Sequence, residues 1–320
     1  MSDPRYISAT FSDLAGMLES SSDWRLRCLY RLSPRGFLGT HQIAHLSGIT
    51  IARSHKESPM LFHAQPPADT VTIASIDTLQ GPAFFKRHKL APRTLIVFDD
   101  APFLFFNGGK SLISCLSLRR TEHPELAERL LALRGVPLHD PDGLLSASIC
   151  RILAYRCNPD NEISTCTDST GEDALLHTLQ QLLTKLPDPL PSPPRLRKGE
   201  RTVFSILEMF FQRMDSRFSN AELARKYGIT TVTLHNTFKS LTGMGPQKLF
   251  RLLRLNLIHS ELLRADPHTA TISTIATQWG FPHQGRFSQS YRELFGELPS
   301  TTLKKKPSII GISPDCFSTK

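Results

Sequence analysis

Basic side chains that could hold a polyanion are concentrated in one part of this sequence. Residues 195–306 contain 18 Lys and Arg against 8 Asp and Glu, whereas residues 1–194 contain 19 against 20. The positive charge of the whole chain, +9, therefore comes from the segment after residue 194. A localised basic field attracts polyanions and speeds their association. The charge alone fits DNA, RNA or an anionic membrane surface.

Residues that could support catalysis or bind a metal are not spaced for either role. The histidines of the first 65 residues form no His-x-His pair followed by a carboxylate and a further histidine, as metal-binding barrels require; they are His41, His45, His55 and His63. The six cysteines form no Cys-x-x-Cys pair, which favours reduced thiols in a cytosolic protein. A Gly-rich phosphate loop, a Gly-x-Ser-x-Gly elbow and a His-Glu-x-x-His motif are also missing from the sequence. We expect no enzyme activity, no cofactor and no metal.

The basic segment contains a weak internal repeat with the layout of two helix-turn-helix units. Glu222–Ile229 aligns with Thr274–Phe281 at an offset of 52 residues. In each copy an alanine lets two helices approach closely, and a glycine ends the first helix in a left-handed conformation. After the first turn Leu234 and Phe238, one helical turn apart, would bury the back of a second helix. Its opposite face would then be free to enter a major groove.

Residues from about 200 to 303 resemble the DNA-binding domain of the AraC/XylS transcription regulators. The residues that carry the resemblance lie in both units and between them: Leu223, Ala224, Gly228, Leu234, Phe238, Lys239, Thr242, Gly243, Pro246, Arg254, Leu255, Leu262, Leu263, Ile272, Ile275, Ala276, Gly280, Phe281, Phe287, Ser288, Tyr291, Arg292, Phe295, Gly296 and Pro299. The resemblance implies that a long helix, about 246–264, joins the units and sets two recognition helices in successive major grooves, roughly 34 Å apart. The chain departs from the family pattern at Ile258, where a small residue is usual, and at His259, where arginine is usual. Leu303 and the lysines after it replace the usual aromatic-Arg ending.

The resemblance also implies which side chains face the DNA. The first recognition helix, about 231–241, and the second, about 283–294, would present to base edges Val232, His235, Asn236, His283, Gln284, Ser288 and Gln289. Asn and Gln can contact adenine bidentately, and valine can meet a thymine methyl. Phosphate contacts, which fix register without reading sequence, are expected from Arg225, Lys239, Lys248, Arg286 and Arg292. The alternative for each residue is an ordinary solvated surface position. Trp279 and Phe281 are expected in the core.

The first 186 residues are predicted to form a strand-rich domain. Alternating apolar residues predict a strand at 24–32, and further strands are expected at 71–76, 95–98 and 112–118, with a short helix before them around Phe11 to Leu18. We expect an α+β chain in which a strand-rich, cupin-like sensor domain precedes an all-α domain. The predicted organisation is an effector-binding and dimerisation domain at 1–186, a proline-rich linker at 187–198, a DNA-binding domain at 199–306 and a flexible tail at 307–320.

Three helices are expected before the linker, roughly at 124–134, 142–157 and 171–186. The last carries leucines at spacings of four, three and four residues, which is typical of a short coiled-coil seam and favours a homodimer; they are Leu175, Leu179, Leu182 and Leu186. The same pattern fits a helix packed against its own strands, and two heptads do not separate these alternatives.

Together these features predict a DNA-binding transcription regulator that responds to a small-molecule effector. Its operator would be double-stranded promoter DNA, and RNA polymerase would be a further partner. The effector pocket is expected within strands 24–118, lined by residues such as Tyr30, Phe62 and Phe98. The alternative is a transcription factor without an effector, regulated by a partner or by abundance.

Two further classes fit less well. A DNA-tethered enzyme would need clustered titratable groups, and an architectural DNA-binding protein would not need a separate domain of about 190 residues. No run of 18 apolar residues and no signal-peptide layout is seen, so we expect a cytoplasmic protein without a membrane partner.

Overall fold

The structure, a computed structural model, describes residues 6–11, 25–33, 38–157, 168–186, 196–212 and 218–305. Its strands are β1 (Tyr6–Phe11), β2 (Arg25–Arg31), β3 (Gly39–His45), β4 (Ile49–Lys56), β5 (Met60–Gln65), β6 (Thr70–Leu79), β7 (Ala83–Phe85), β8 (His88–Lys89), β9 (Thr94–Asp99), β10 (Phe103–Asn107), β11 (Ser111–Arg119) and β12 (Leu138–His139). Its helices are α1 (Pro124–Leu131), α2 (Leu144–Cys157), α3 (Asp168–Thr184), α4 (Lys198–Gln212), α5 (Asn220–Lys226), α6 (Thr231–Thr242), α7 (Pro246–Arg264), α8 (Ile272–Gln278), α9 (Gln284–Phe295) and α10 (Pro299–Leu303). The expected order of a strand-rich part followed by an all-helical part is confirmed.

The first sheet is antiparallel, with its seven strands in the order β1-β3-β4-β11-β6-β9-β12. Successive side chains of a strand point to opposite faces, so each strand contributes to two cores. On β6, Val71 and Ile73 pack with helices α1 to α3, whereas Ala74 and Ile76 pack toward the second sheet. The first sheet therefore lies between a helical layer and the second sheet.

The second sheet is antiparallel, with its five strands in the order β2-β5-β10-β7-β8. Its strands are rich in phenylalanine, which suits a pleated sheet that is buried on both faces. Phe62 and Phe85 point toward the first sheet. Their chain neighbours Leu61 and Phe84 point the other way, into a cluster shared with the C-terminal helices. This sheet therefore contacts both halves of the molecule.

Helices α1 to α3 cover the outer face of the first sheet, close to where the sequence predicts them. Leu175 and Leu179 are fully buried, Leu182 is buried and Leu186 is half-buried, and all four pack with α2 and the first sheet. The assignment of this leucine seam to a dimer interface is therefore wrong, because the domain's own core already covers it. Homodimerisation itself stays a prediction.

The C-terminal helices pack directly on the second sheet. Helix α4 supplies a row of buried apolar residues to the shared cluster, including Phe204, whose ring meets that of Phe84 edge to face at 5.1 Å. On the sheet, the ring of Phe84 also stacks on that of Phe106 at 5.0 Å. Helices α5 to α7 complete the same cluster. The strand-rich half and the first part of the helical half thus share one hydrophobic core.

Polar contacts reinforce this boundary. Asn256 of α7 is buried, and its amide pairs with the edge strand β2: the Arg31 backbone N–H donates to Asn256 Oδ1 at 2.7 Å, and Asn256 Nδ2 donates to the Arg31 carbonyl at 2.9 Å. The Arg87 guanidinium donates two hydrogen bonds to the carboxylate of Glu208 on α4, at 3.0 and 2.7 Å. The Asn256 pairing extends the edge of the sheet onto a helix.

Several sequence predictions fall on residues that the structure does not describe. The helix around Phe11 to Leu18 falls mostly on residues 12–24, the proline-rich linker mostly on 187–195, and the tail on 307–320; these lie outside the described residues. Over the described ranges, no helix combines the length and hydropathy needed to cross a membrane.

Candidate DNA-binding face and ligand cavity

The two helix-turn-helix units have the turn geometry that the repeat predicts. Gly228 has φ +60° and Gly280 has φ +89°, a region in which a side chain would be strained. In both turns the backbone N–H after the glycine donates to the carbonyl of the repeat alanine. These bonds run from Ile229 to Ala224 (3.0 Å) and from Phe281 to Ala276 (2.8 Å). The same local signals therefore build both turns.

Capping side chains fix the start of both helices in the first unit. The hydroxyl of Ser219 accepts from the backbone N–H of Glu222 at 3.1 Å, and the Glu222 carboxylate accepts from the backbone N–H of Ser219 at 2.8 Å. These two bonds form a capping box at the start of α5. The hydroxyl of Thr230 accepts from the backbone N–H of Thr233 at 3.0 Å and caps α6.

The first recognition helix, α6, buries one face and exposes the other. Leu234 and Phe238 are fully buried, as predicted for the back of this helix. Val232 is 65% exposed, which is unusual for a large apolar side chain, and His235 and Asn236 are also exposed. The three candidate base-contacting residues thus share a solvent-facing surface. Whether they contact bases stays a prediction.

The second recognition helix, α9, places its four candidates less uniformly. His283 is the N-cap residue and is exposed, whereas Gln284 and Ser288 are half-buried. Gln289 is exposed, and its Nε2 donates to Glu293 Oε1 at 3.0 Å. That bond uses one of the two Nε2 hydrogens, so the other N–H and Oε1 can still contact a base.

The five candidate phosphate-contacting residues are all exposed, and none forms an ion pair with another described residue; they are Arg225, Lys239, Lys248, Arg286 and Arg292. Free cationic groups of this kind can neutralise phosphates without first breaking a salt bridge. The structure adds Arg251 of α7, which donates to the hydroxyl of Ser290 on α9 and lies over the ring of Phe281. Sequence reasoning missed Arg251 because its partners, Ser290 and Phe281, are distant from it in the chain.

The departures from the family pattern in α7 are accommodated by packing. Ile258 is fully buried. The His259 ring stacks on that of Phe295 at 4.1 Å, and His259 Nδ1 lies 2.6 Å from the hydroxyl of Tyr291. Burial lowers the pKa of His259 to about 4, so this side chain is neutral at pH 7. Leu303 is buried in the same cluster, where it supports the second unit.

A cavity of about 110 Å³ lies between the two sheets. Its aromatic lining comes from the second sheet, except for Phe98 of the first: Phe62, Phe85, Phe98, Phe103 and Phe105. The predicted pocket residues Phe62 and Phe98 line it, but Tyr30 does not. Tyr30 points to the opposite face of the second sheet, where its ring centroid lies 5.8 Å from that of Phe211 on α4. A strand pattern cannot tell which of two buried faces a side chain occupies.

The polar groups of the cavity come from the first sheet. The alternation of β4 brings Ala52, Ser54 and Lys56 to the cavity wall, and His41 and Cys115 join them from β3 and β11. Burial lowers the pKa of Lys56 to about 8, and burial together with the Lys56 charge lowers the pKa of His41 to about 3. Burial also raises the pKa of the Cys115 thiol to about 12. At neutral pH, Lys56 is therefore a cation beside a neutral imidazole and a neutral thiol.

Comparison with known proteins places the similarity in the helical half. A protein-family model described as "Helix-turn-helix domain" matches residues 223–305. The chain is 36% identical over 87 residues to the probable thc operon regulatory protein of Rhodococcus erythropolis. This alignment covers 27% of this chain and 26% of that protein. It is 31% identical over 108 residues to the XylDLEGF operon transcriptional activator of Pseudomonas putida, and this alignment covers 34% of each of the two chains.

Among solved structures, the chain is similar to the AraC-like transcriptional activator CuxR, at 14% identity and a TM-score of 0.36, over 68% of this chain and 80% of that one. The alignments to the two curated relatives span about a third or less of their length.

Proposed function

We propose that this protein is a sequence-specific DNA-binding transcription regulator whose C-terminal domain is of the AraC/XylS type. The observation that carries the proposal is the pair of capped helix-turn-helix units within the basic segment. Each unit buries the back of its second helix and leaves polar side chains and cations exposed. That arrangement suits two recognition helices that enter successive major grooves.

In this proposal the exposed face of α6 and the first two turns of α9 read base edges. Asn236 and Gln284 are the side chains best suited to adenine, and Val232 would contact a thymine methyl. The unpaired cations on α5, α6, α7 and α9 would fix the register on the phosphates. The division between base-reading and phosphate-binding residues is supported by α6, where Lys239 is exposed one helical turn beyond the exposed Asn236.

We further propose that the cavity between the sheets binds a small-molecule effector. The second sheet lines the cavity with one face and packs on α4 with the other, so a ligand that shifts this sheet acts on the first helix-turn-helix unit. A ligand changes DNA binding only if it prefers one arrangement of the two halves, and a tenfold bias needs about 1.4 kcal/mol of preference. Cytoplasmic location, contact with RNA polymerase and homodimerisation are part of the same proposal.

Selection from a random duplex library with the full-length protein tests the DNA-binding function. We expect enrichment of a bipartite motif whose two halves lie about one helical turn, or 10–10.5 base pairs, apart. Recovery of no motif, or of sequences bound equally well whatever their composition, would contradict sequence-specific regulation. Genome-wide mapping of bound sites would then identify the promoters controlled.

A further inference from the structure

The strongest unexplained feature outside the DNA-binding face is the buried ammonium of Lys56. Its residue is 4% exposed, and its Nζ donates to the Ser54 hydroxyl at 2.6 Å and lies 5.6 Å from the centre of the Phe62 ring. Among the described residues, no carboxylate pairs with it. An ammonium has three N–H groups, and burial of a charge without a counter-charge is strongly unfavourable. This cation is placed where an anion would stabilise it.

The other polar groups of the cavity also suit an anion. The titratable side chains in its wall are basic or neutral at pH 7: His41, Arg53, Lys56 and Cys115. The guanidinium of Arg53 points away from the cavity, since its Nη1 donates to Cys150 Sγ on α2 at 3.4 Å. The titratable groups that face the cavity, His41, Lys56 and Cys115, all come from the first sheet.

The opposite wall of the cavity suits an apolar body. Phe62 and Phe105 stack at 4.9 Å, and the rings of Phe85, Phe98 and Phe103 lie about 5 Å from one another. The volume of about 110 Å³ is of the order of the ~150 Å³ apolar cavity that holds one benzene molecule. A single ring or a short alkyl chain fits this space. A sugar or a phosphate ester would leave many polar groups facing phenylalanine without partners.

We propose that the cavity binds a small apolar monocarboxylic acid, with the carboxylate at Lys56 and the hydrocarbon body among the phenylalanines of the second sheet. This inference rests on the proposed effector function and gives it a ligand class. The ligand would bridge the two sheets, because its charged end lies on the first sheet and its body on the second. Neighbouring residues on the reverse face of the second sheet, such as Phe84, contact α4. Ligand binding in the cavity would therefore affect the packing of the first helix-turn-helix unit.

Calorimetric titration of the full-length protein without DNA tests the ligand class. The probes are benzoate and hexanoate, with the neutral amides benzamide and hexanamide as matched controls of similar shape. We expect at least one acid to bind at least about tenfold more tightly than its own amide, because a charge-assisted hydrogen bond to a buried cation is lost in the amide. If neither acid binds, or if each amide binds as well as its acid, the inference is overturned.

Variants of the cavity lysine test the role of the charge. Lys56→Met keeps the length of the side chain and removes the charge, and we expect it to weaken acid binding at least about tenfold while changing amide binding less than about threefold. Lys110→Met, at a half-exposed lysine outside the cavity, is the control and should bind like the wild type. Unchanged acid binding by Lys56→Met would overturn the assignment. If this variant does not fold, the acid-against-amide contrast in the wild type still decides.

The experiment separates this inference from the proposed function. A protein that selects a bipartite DNA motif but binds neither acid keeps the DNA-binding function and loses this ligand class. A protein that binds the acids but selects no motif loses the regulator function and keeps the cavity assignment.

Discussion

The two helix-turn-helix units have similar local structures but different surroundings. Leu234 and Phe238 of the first unit belong to the hydrophobic cluster that also contains Phe84 of the second sheet. Phe287 and Tyr291 of the second unit belong to a separate cluster made only of C-terminal residues. The repeat predicts two equivalent DNA-reading units. Within the described residues, the buried core of the first unit is continuous with the strand-rich half, whereas the second unit meets that cluster through the partly buried Trp279. A structural change in the N-terminal domain should therefore affect the first unit more directly than the second.

The largest effects should come from removing the core phenylalanine of each unit. Phe238→Ala and Phe287→Ala each replace a fully buried ring, and each should lower the free energy of unfolding by about 3–5 kcal/mol. Hydrogen exchange should distinguish them. Phe238→Ala should speed exchange in β5, β7 and β10 as well as in α6, and Phe287→Ala should act only within α7 to α10. Equal effects of both variants on the strands would remove the proposed difference between the units.

Acid should destabilise the second unit through His259. Its pKa is about 4 in the folded protein and about 6.5 when unfolded, so the unfolded chain binds more protons between these values. Stability should therefore fall as pH drops from 6.5 through 4, by on the order of 3 kcal/mol at most. His259→Gln should flatten this part of the profile. His41, whose pKa is about 3, should leave a residual acid dependence in the variant. A profile that His259→Gln leaves unchanged would contradict the neutral, buried state of this ring.

The junction between the halves should depend on Asn256. Asn256→Leu removes the paired hydrogen bonds to the Arg31 backbone and leaves both backbone groups without this partner. We expect a loss of about 1–3 kcal/mol in denaturant unfolding. The control Asn236→Ala, at an exposed position of α6, should change stability by less than about 0.5 kcal/mol. Similar values for the two variants would show that the Asn256 contact contributes little to the junction.

The smallest expected effects concern base preference. Gln284→Ala should cost about 1–3 kcal/mol at one position of the DNA site and relax preference there. Lys239→Ala should weaken binding to all sequences alike and reduce the slope of log K against log salt by about 1. A panel of single-base operator variants, titrated at several salt concentrations, measures both. If Gln284→Ala weakens binding uniformly across the panel, this residue positions the protein and does not read the sequence.

Sequence reasoning located the helical half closely because its signals are local. The capping box at Ser219, the left-handed glycines and the apolar spacing of Leu234 and Phe238 each act within a few residues, and α7 has the bounds that were predicted. DNA contacts by the candidate residues stay predictions.

For the strand-rich half, sequence reasoning predicted strands and helices but not how they pack against one another. The face that Tyr30 occupies is set by contacts between segments that are distant in the chain, and so is the burial of Leu179. The pattern of apolar residues within one segment does not specify such contacts. Lys56 was missed because a lysine in a strand is usually solvated. Lys56 is two and four residues after Ser54 and Ala52, so the three side chains share one face of the strand. That spacing indicates a buried lysine only when this face of β4 is known to line the cavity.

We propose that both units of this protein read DNA together. It is tested most directly by titrating the full-length wild type against the selected DNA site and against two versions in which one half or the other is scrambled. We expect a large loss of affinity from scrambling either half, with non-specific binding left when both are scrambled. Full affinity after one half is scrambled would contradict it, because a single unit would then carry all of the recognition.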